Sequence, residues 1–143
     1  TAFSTDSSII TIPVTMSCLE KKSKINKNKI SFIIPLGATI NMNGTALFIA
    51  STSIFISQVY QINIGLKEYS IIMLSSSLTA IATAGIPGSS LITMGFLLQI
   101  LNLPLASISL IMSVDRIIDM CRTVVNVFGD IVTTQIIHSK TKS

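Results

Sequence analysis

Tryptophan is absent from the 143 residues, and aromatic side chains supply only 6% of them. Charge is scarce too: Asp, Glu, Lys and Arg together make up 11%. A soluble domain carries about 25%, so a solvated, self-sufficient surface is excluded. The two cysteines, Cys18 and Cys121, are far apart in no metal or redox spacing and read as free thiols. The single histidine, His138, lies near the chain end and reads as an interfacial residue. No Ser/His/Asp or Cys/His arrangement is available for nucleophilic catalysis. The opening "TAFSTDSSIITIPVTM" has neither a Met nor a basic n-region. It reads as the middle of an element in a longer protein.

What is present is apolar. AVILMFWYC account for 49% and the mean hydropathy is +0.72, about the length of one domain but membrane-like in composition. The pI near 9.3 invites a nucleic-acid reading, but the basic residues form no face. Five of the ten, Lys21, Lys22, Lys24, Lys27 and Lys29, fall in the run "EKKSKINKNK". That pattern suits a loop beside an anionic membrane surface, not a nucleic-acid groove.

The apolar stretches organise the chain. Residues 1–19 are small, hydroxylated and apolar, and 20–29 are the basic loop. Residues 30–64 are long enough to cross a hydrocarbon core, which takes about 20 helical residues, but are interrupted at "INMNGTA". Residues 68–101 are apolar again and broken at "ATAGIPGSS". Each arm there is too short to span, so two arms around a Gly/Pro/Ser tip predict a re-entrant hairpin. Residues 105–137 form a last long helix, followed by "HSKTKS". The expected fold class is therefore an all-α membrane protein with re-entrant hairpins and an unwound transmembrane helix. Positive-inside counting puts the basic loop and the tail, with Lys140 and Lys142, in the cytoplasm. The outer connections then carry only Lys67 and Glu68. Irregular backbone at membrane depth must face protein or a water-filled cavity. Its free N–H and C=O ends can bind anions and cations, as in secondary transporters.

The last helix contains "VDRIIDMCRTVVNVFGD". At about 100° per residue, Asp115, Asp119, Arg122, Asn126 and Asp130 fall within an arc of about 80°. Thr133 joins the stripe and Thr123 borders it. Ile117, Ile118, Val124, Val125, Phe128 and Val132 make the opposite, apolar side. An ionised side chain at membrane depth costs about 2.5–3.5 kcal/mol or more, so the stripe argues for a polar site inside the protein. The competing reading is an ion-pair network that only ties helices together. Arg116 lies off the stripe and reads as an interfacial or snorkelling residue.

"STDSSIITIPVTM", "NMNGTAL", "ATAGIPGSS" and "DRIIDMCRTVVNVFGD" stand in this order over essentially the whole chain. Together they resemble the glutamate transporter family, the dicarboxylate/amino acid:cation symporters, in the carboxyl-terminal part of the transport domain. The resemblance implies that residues 1–19 are the second arm of an inner hairpin and that Na⁺-coupled symport of aspartate or glutamate proceeds by elevator movement. It also implies a homotrimer held by a scaffold absent from this chain, in a cell inner (plasma) membrane. It gives Asp119 the substrate ammonium, Arg122 its side-chain carboxylate and Asn126 its α-carboxylate. Thr123 lies beside the ammonium, Thr45 contacts the substrate side chain, and Ser8 donates to the α-carboxylate. The backbone of 84–88, with Ile86 and Gly88, covers the substrate as an outer gate. Asp130, Asn126 and Asn41, with main chain near Gly37, Thr39 and Met42, would bind Na⁺ through hard oxygen ligands. No cofactor is implied beyond this coupling ion, which a proton could replace.

Two departures from the family pattern stand out. Asn43 occupies the Asp of N-M-D-G-T, which would weaken, remove or recouple one cation site. Asp6 and Ile9 stand where small, hydroxylated or arginine residues are usual. Asp6 would repel an anionic amino acid unless paired, with Arg122 or Arg116 the possible partners. Asp115 is expected to orient Arg122 or to hydrate the site. C4-dicarboxylates are the alternative substrate class, since they also present a carboxylate to Arg122. An intramembrane aspartyl protease is a distant alternative: it needs two facing aspartates that share a proton, whereas here three share one helix beside a cation. A channel or purely structural membrane protein is a third class, separated by substrate-dependent Na⁺ movement. The Ile/Lys/Asn-rich usage suggests an AT-rich bacterial genome.

Overall fold

Three polar punctuation marks set the first helices. The Ser7 hydroxyl accepts from the Ile10 N–H at 3.2 Å and starts one helix, while the Asn26 side chain accepts from the Asn28 N–H at 2.8 Å and starts another. Between them the Ser23 N–H returns to the Leu19 carbonyl. The computed structural model describes residues 1–23, 25–83 and 85–141; Lys24, Ala84, Lys142 and Ser143 lie outside them. It contains α1 (Ala2–Thr5), α2 (Ser8–Lys22), α3 (Lys27–Ile40), α4 (Asn43–Val59), α5 (Leu66–Ala82), α6 (Ser89–Ile100), a 3₁₀ turn (Leu105–Ser107) and α7 (Ile108–Lys140). The described residues contain no strand, so the all-α expectation holds.

The boundaries differ from the sequence expectation in two places. The basic run is not a ten-residue loop: α2 continues through Lys22 and α3 begins at Lys27. Lysine is a good helix former, and Asn26 supplies the cap that restarts the chain. The apolar stretch 30–64 is divided, and its second half stops at Val59. There Gln61 takes a left-handed conformation (φ 54°) and the Ile62 N–H reaches back to the Ser57 carbonyl at 2.8 Å. Asn102 and Leu103 close α6 in the same way. This is the left-handed helix cap, which satisfies carbonyls the helix leaves open.

Asn41 and Met42 separate α3 from α4 with non-helical backbone (ψ 59° and 52°). Taken as one stretch, Lys27–Val59 is, by length and composition, long and apolar enough to cross a membrane. The α5–α6 pair forms a hairpin around residues 83–88. At its start, Glu68 accepts from the Gly65 N–H at 2.8 Å. That hydrogen bond and one from its own N–H hold its carboxyl below the usual carboxylate range.

Two apolar clusters frame the molecule. One joins α4, α6 and α7 through Phe48, Ile49, Ile56, Met94, Leu97, Leu98 and Ile111. The other joins α2, α3 and α7 through Leu19, Ile30, Ile34 and Ile131. The polar stripe of α7 runs between them. Large apolar side chains also face outward: Phe32 is 70% exposed, Leu66 86% and Phe128 65%. Such a surface suits lipid or further protein, not water.

Candidate functional site

Helix α7 buries the charges of its polar stripe and exposes much of its hydrocarbon. Asp115, Asp119, Arg122, Thr123, Asn126 and Asp130 are all buried, whereas Ile117, Val124, Val125 and Phe128 are exposed. The expected stripe is thus inside, with one correction at its end. Thr133 is exposed and Thr134 is buried, donating to the Asp130 carbonyl at 2.7 Å. An ideal wheel assumes one partner face along the whole helix. Here α4 lies against α7 at Arg122 and Asn126, whereas α3 lies against it at Asp130, so the partner face changes along the helix.

Arg122 is held on three sides. It pairs with Asp119 one turn earlier, its Nη1 lies 3.9 Å from Asp115 Oδ1, and its guanidinium carbon sits 4.5 Å from the centre of the Phe48 ring. The Phe48 ring and the Asp119 carboxylate flank the guanidinium, while Asp115 lies at ion-pair distance without a hydrogen bond to it. Asp119 is also bound from the far side. Gly88 opens α6 in a left-handed conformation (φ 76°) and its N–H donates to Asp119 Oδ2 at 3.0 Å. The positive end of a helix therefore faces this carboxylate. The Asn126 amide oxygen accepts from the Gly44 N–H at 2.8 Å, and its nitrogen lies 3.3 Å from both Thr45 Oγ1 and Met42 Sδ. The broken helix and α7 are joined at the break.

One turn further, Asp130 accepts from Asn41 Nδ2 at 2.9 Å, and Asn43 Nδ2 donates to Asn41 Oδ1 at 2.8 Å. Asn43 therefore stands in line with Asp130 and is exposed, and Thr39 is exposed with its hydroxyl donating to the Leu36 carbonyl. The described residues contain no group of three or more His, Cys, Asp or Glu fit for a metal. The oxygens here come from one carboxylate, amides and backbone. Gly37 packs directly on the carboxylate: a Cβ there would lie 2.9 Å from Asp130 Cγ and closer still to Oδ1. Alanine normally improves on glycine inside a helix by about 1 kcal/mol. Gly37→Ala is expected to reverse that sign and lower the melting temperature, because it displaces Asp130.

Two helix tips close over the site. The Ser7 hydroxyl, between α1 and α2, donates to the Gly85 carbonyl of the α5–α6 tip at 2.7 Å. Beneath them is a cavity of about 10 Å³ lined by Ser8, Thr45, Ile86, Asp119, Arg122, Thr123 and Asn126, among others. That is every expected substrate-binding residue except Gly88, which reaches Asp119 directly. The volume is close to that needed for one water, so a ligand of amino-acid size requires a tip to move. The sequence reading did not assign Ser7, Thr83, Ser89 or Ser90, which also line the cavity. The signal was available: "SS" directly after "GIPG" puts two hydroxyls on the first turn of a helix. Arg116 needs correction as well. It is not simply interfacial: its Nη1 lies 3.0 Å from Asp6 Oδ2. Of the two partners open to Asp6, the direct ion pair is with Arg116. Cys18 and Cys121 are free and exposed, as expected.

A helix of transmembrane length is thus broken at a buried polar site that two tips cover. The model of the sodium:dicarboxylate symporter family matches residues 1–140, and the chain belongs to that family. It is 39% identical over 142 residues to excitatory amino acid transporter 3 of Oryctolagus cuniculus, covering 99% of this chain and 27% of that protein. It is 42% identical over 138 residues to the putative sodium-dependent excitatory amino acid transporter glt-4 of Caenorhabditis elegans, covering 96% and 28%. It is also 38% identical over 130 residues to neutral amino acid transporter B(0) of Mus musculus, covering 91% and 24%. The chain thus spans about a quarter of the length of the curated relatives it matches. These relatives are animal proteins, which lends no support to a bacterial source.

Proposed function

We propose that this chain is the carboxyl-terminal part of the transport domain of a secondary active symporter that moves aspartate or glutamate with Na⁺. One observation carries the reading: a buried arginine and a buried aspartate face the same closed cavity from one helix, with an asparagine one turn on. An acidic amino acid offers the complementary groups, a carboxylate for the Arg122 fork, an ammonium for Asp119 and an α-carboxylate for Asn126 and Ser8. Asp119 favours a substrate with an ammonium over a C4-dicarboxylate, which remains the second reading because it too pairs with Arg122. Relatives named for excitatory and for neutral amino acids are about equally similar, so the substrate rests on Arg122 and not on likeness.

Na⁺ would bind at Asp130, Asn126 and Asn41 with main-chain oxygens near Gly37, Thr39 and Met42. An amide at Asn43 adds no charge there, so the coupling is expected to involve fewer cations than a carboxylate would support. Substrate entry would require the 83–88 tip to part from Ser7. Elevator movement within a homotrimer, built on a scaffold outside this chain, completes the reading, with the protein in a plasma membrane. The protease alternative has no support: Asp115 and Asp119 flank a guanidinium and do not face each other across helices.

The test is uptake of labelled aspartate and glutamate by the full-length protein in liposomes, with and without a Na⁺ gradient. Na⁺-driven uptake is expected. Uptake that follows a proton gradient and ignores Na⁺ would move the coupling ion and point to Asn43. Uptake of a C4-dicarboxylate alone would transfer the assignment to the second reading.

A further inference from the structure

Asp6 is an anion in a place that should not welcome one. It is 2% exposed, closes α1 in a left-handed conformation (φ 52°, ψ 29°) and lines the same small cavity as Arg122. Neither of its oxygens makes a hydrogen bond, and neither does Arg122 Nη1. Two buried groups of opposite charge thus face one cavity of about 10 Å³, each with unused hydrogen-bonding capacity. Joined, they would satisfy both. That union would also cancel the charge a substrate carboxylate needs. Arg116 stands in the way. It projects from α7 one turn before Asp119, with its side chain 67% exposed, and its Nη1 lies 3.0 Å from Asp6 Oδ2. A second cavity, of about 310 Å³, is lined by Asp6, Asp115, Arg116 and Asp119 among others, but not by Arg122.

We propose that Arg116 is a positioning residue for the binding site: it holds the Asp6 carboxylate away from Arg122 and so keeps Arg122 available for an anionic substrate. The proposal rests on the acidic-substrate reading above and adds a specificity device to it. An exposed guanidinium alone contributes little to stability. Its removal matters because it leaves a buried carboxylate uncompensated beside another arginine.

The experiment uses the full-length transporter in liposomes, as wild type, Arg116→Gln, Asp6→Ser, the double variant and Arg116→Lys. Labelled aspartate uptake is resolved into KM and maximal rate, with unlabelled asparagine as the neutral competitor. Arg116→Gln is expected to raise the aspartate KM about tenfold or more with little change in maximal rate, and to shift selectivity toward asparagine. Adding Asp6→Ser should restore both, and Arg116→Lys should retain them. An unchanged aspartate KM in Arg116→Gln would overturn the proposal. So would a loss in rate that Asp6→Ser does not rescue, since that is what a merely structural tie would give. Ligand-free melting of the same proteins tests the pair without any substrate. Additive shifts of Asp6→Ser and Arg116→Gln mean that the two do not interact and also overturn it. If the wild type takes up no acidic amino acid, the functional reading fails, and the melting cycle by itself decides whether the pair exists.

Discussion

Arg122→Ala is expected to remove uptake of aspartate and glutamate. Arg122 is buried, bonded to Asp119, near Asp115 and stacked on Phe48. Truncating one partner of a buried, hydrogen-bonded charge pair in binding costs about 2–5 kcal/mol, and each 1.4 kcal/mol is about tenfold. The aspartate kcat/KM should fall by about one and a half to three and a half orders of magnitude. Two controls give the loss its meaning. Arg122→Lys keeps the charge but loses the planar fork, so it should recover only part of the uptake. Competition by asparagine should weaken much less than competition by aspartate, because the neutral amide makes no demand for a cation. Melting should also fall in Arg122→Ala, since Asp115 and Asp119 lose their counter-charge. If aspartate uptake survives at wild-type KM, the substrate carboxylate is bound elsewhere and the role given to Arg122 fails.

The second large effect is expected at Gly44. This residue begins α4 at the break, and its N–H is bonded to Asn126. A Cβ at Gly44 would lie 2.8 Å from the Arg122 carbonyl oxygen, 3.1 Å from Arg122 Cγ and 3.2 Å from Asn126 Oδ1. The first of these is backbone in the middle of a long helix and has no room to give. Alanine's helix preference of about 1 kcal/mol is therefore overridden by an overpacking cost of about 1–3 kcal/mol. More important, α4 must move off α7, which breaks the Gly44–Asn126 hydrogen bond and shifts Asn126 away from Thr45. Gly44→Ala should lower the melting temperature and reduce both substrate and Na⁺ affinity. Gly88→Ala provides the contrast: nothing lies within 4 Å of a Cβ there, so its cost comes from the left-handed backbone alone. Equal melting losses in the two variants would show that the α4–α7 contact is not as tight as the geometry requires.

The polar stripe of α7 was legible from spacing because a helix imposes its period on whatever it carries. Five polar residues 4, 3, 4 and 4 apart have no choice but to share a face, and in an apolar segment that face must turn inward. The break at 41–42 was legible for a related reason: asparagines and a glycine interrupt a run otherwise fit for a continuous helix. The tip at 83–88 could be read from glycine and proline, which serve a hairpin and end its arms. The short loop after Lys22 was not legible. Lysines fit a helix end as well as a loop, and the cap by Asn26 depends on a single side-chain contact.

Sequence by itself determined that this is an all-α membrane protein with a buried charged face and interrupted helices. These follow from hydropathy, period and backbone chemistry, which act over a few turns. The family, too, was readable from four motifs in order. Tertiary structure decided what each charge meets. It gave Asp6 to Arg116, brought Phe48 to Arg122, and aimed the Gly88 N–H at Asp119. It also drew Ser7 to Gly85 and buried Thr134 in place of Thr133. Each of these depends on the rotation and approach of helices distant in the chain, and a carboxylate in sequence has no preference among the cations that packing can bring to it.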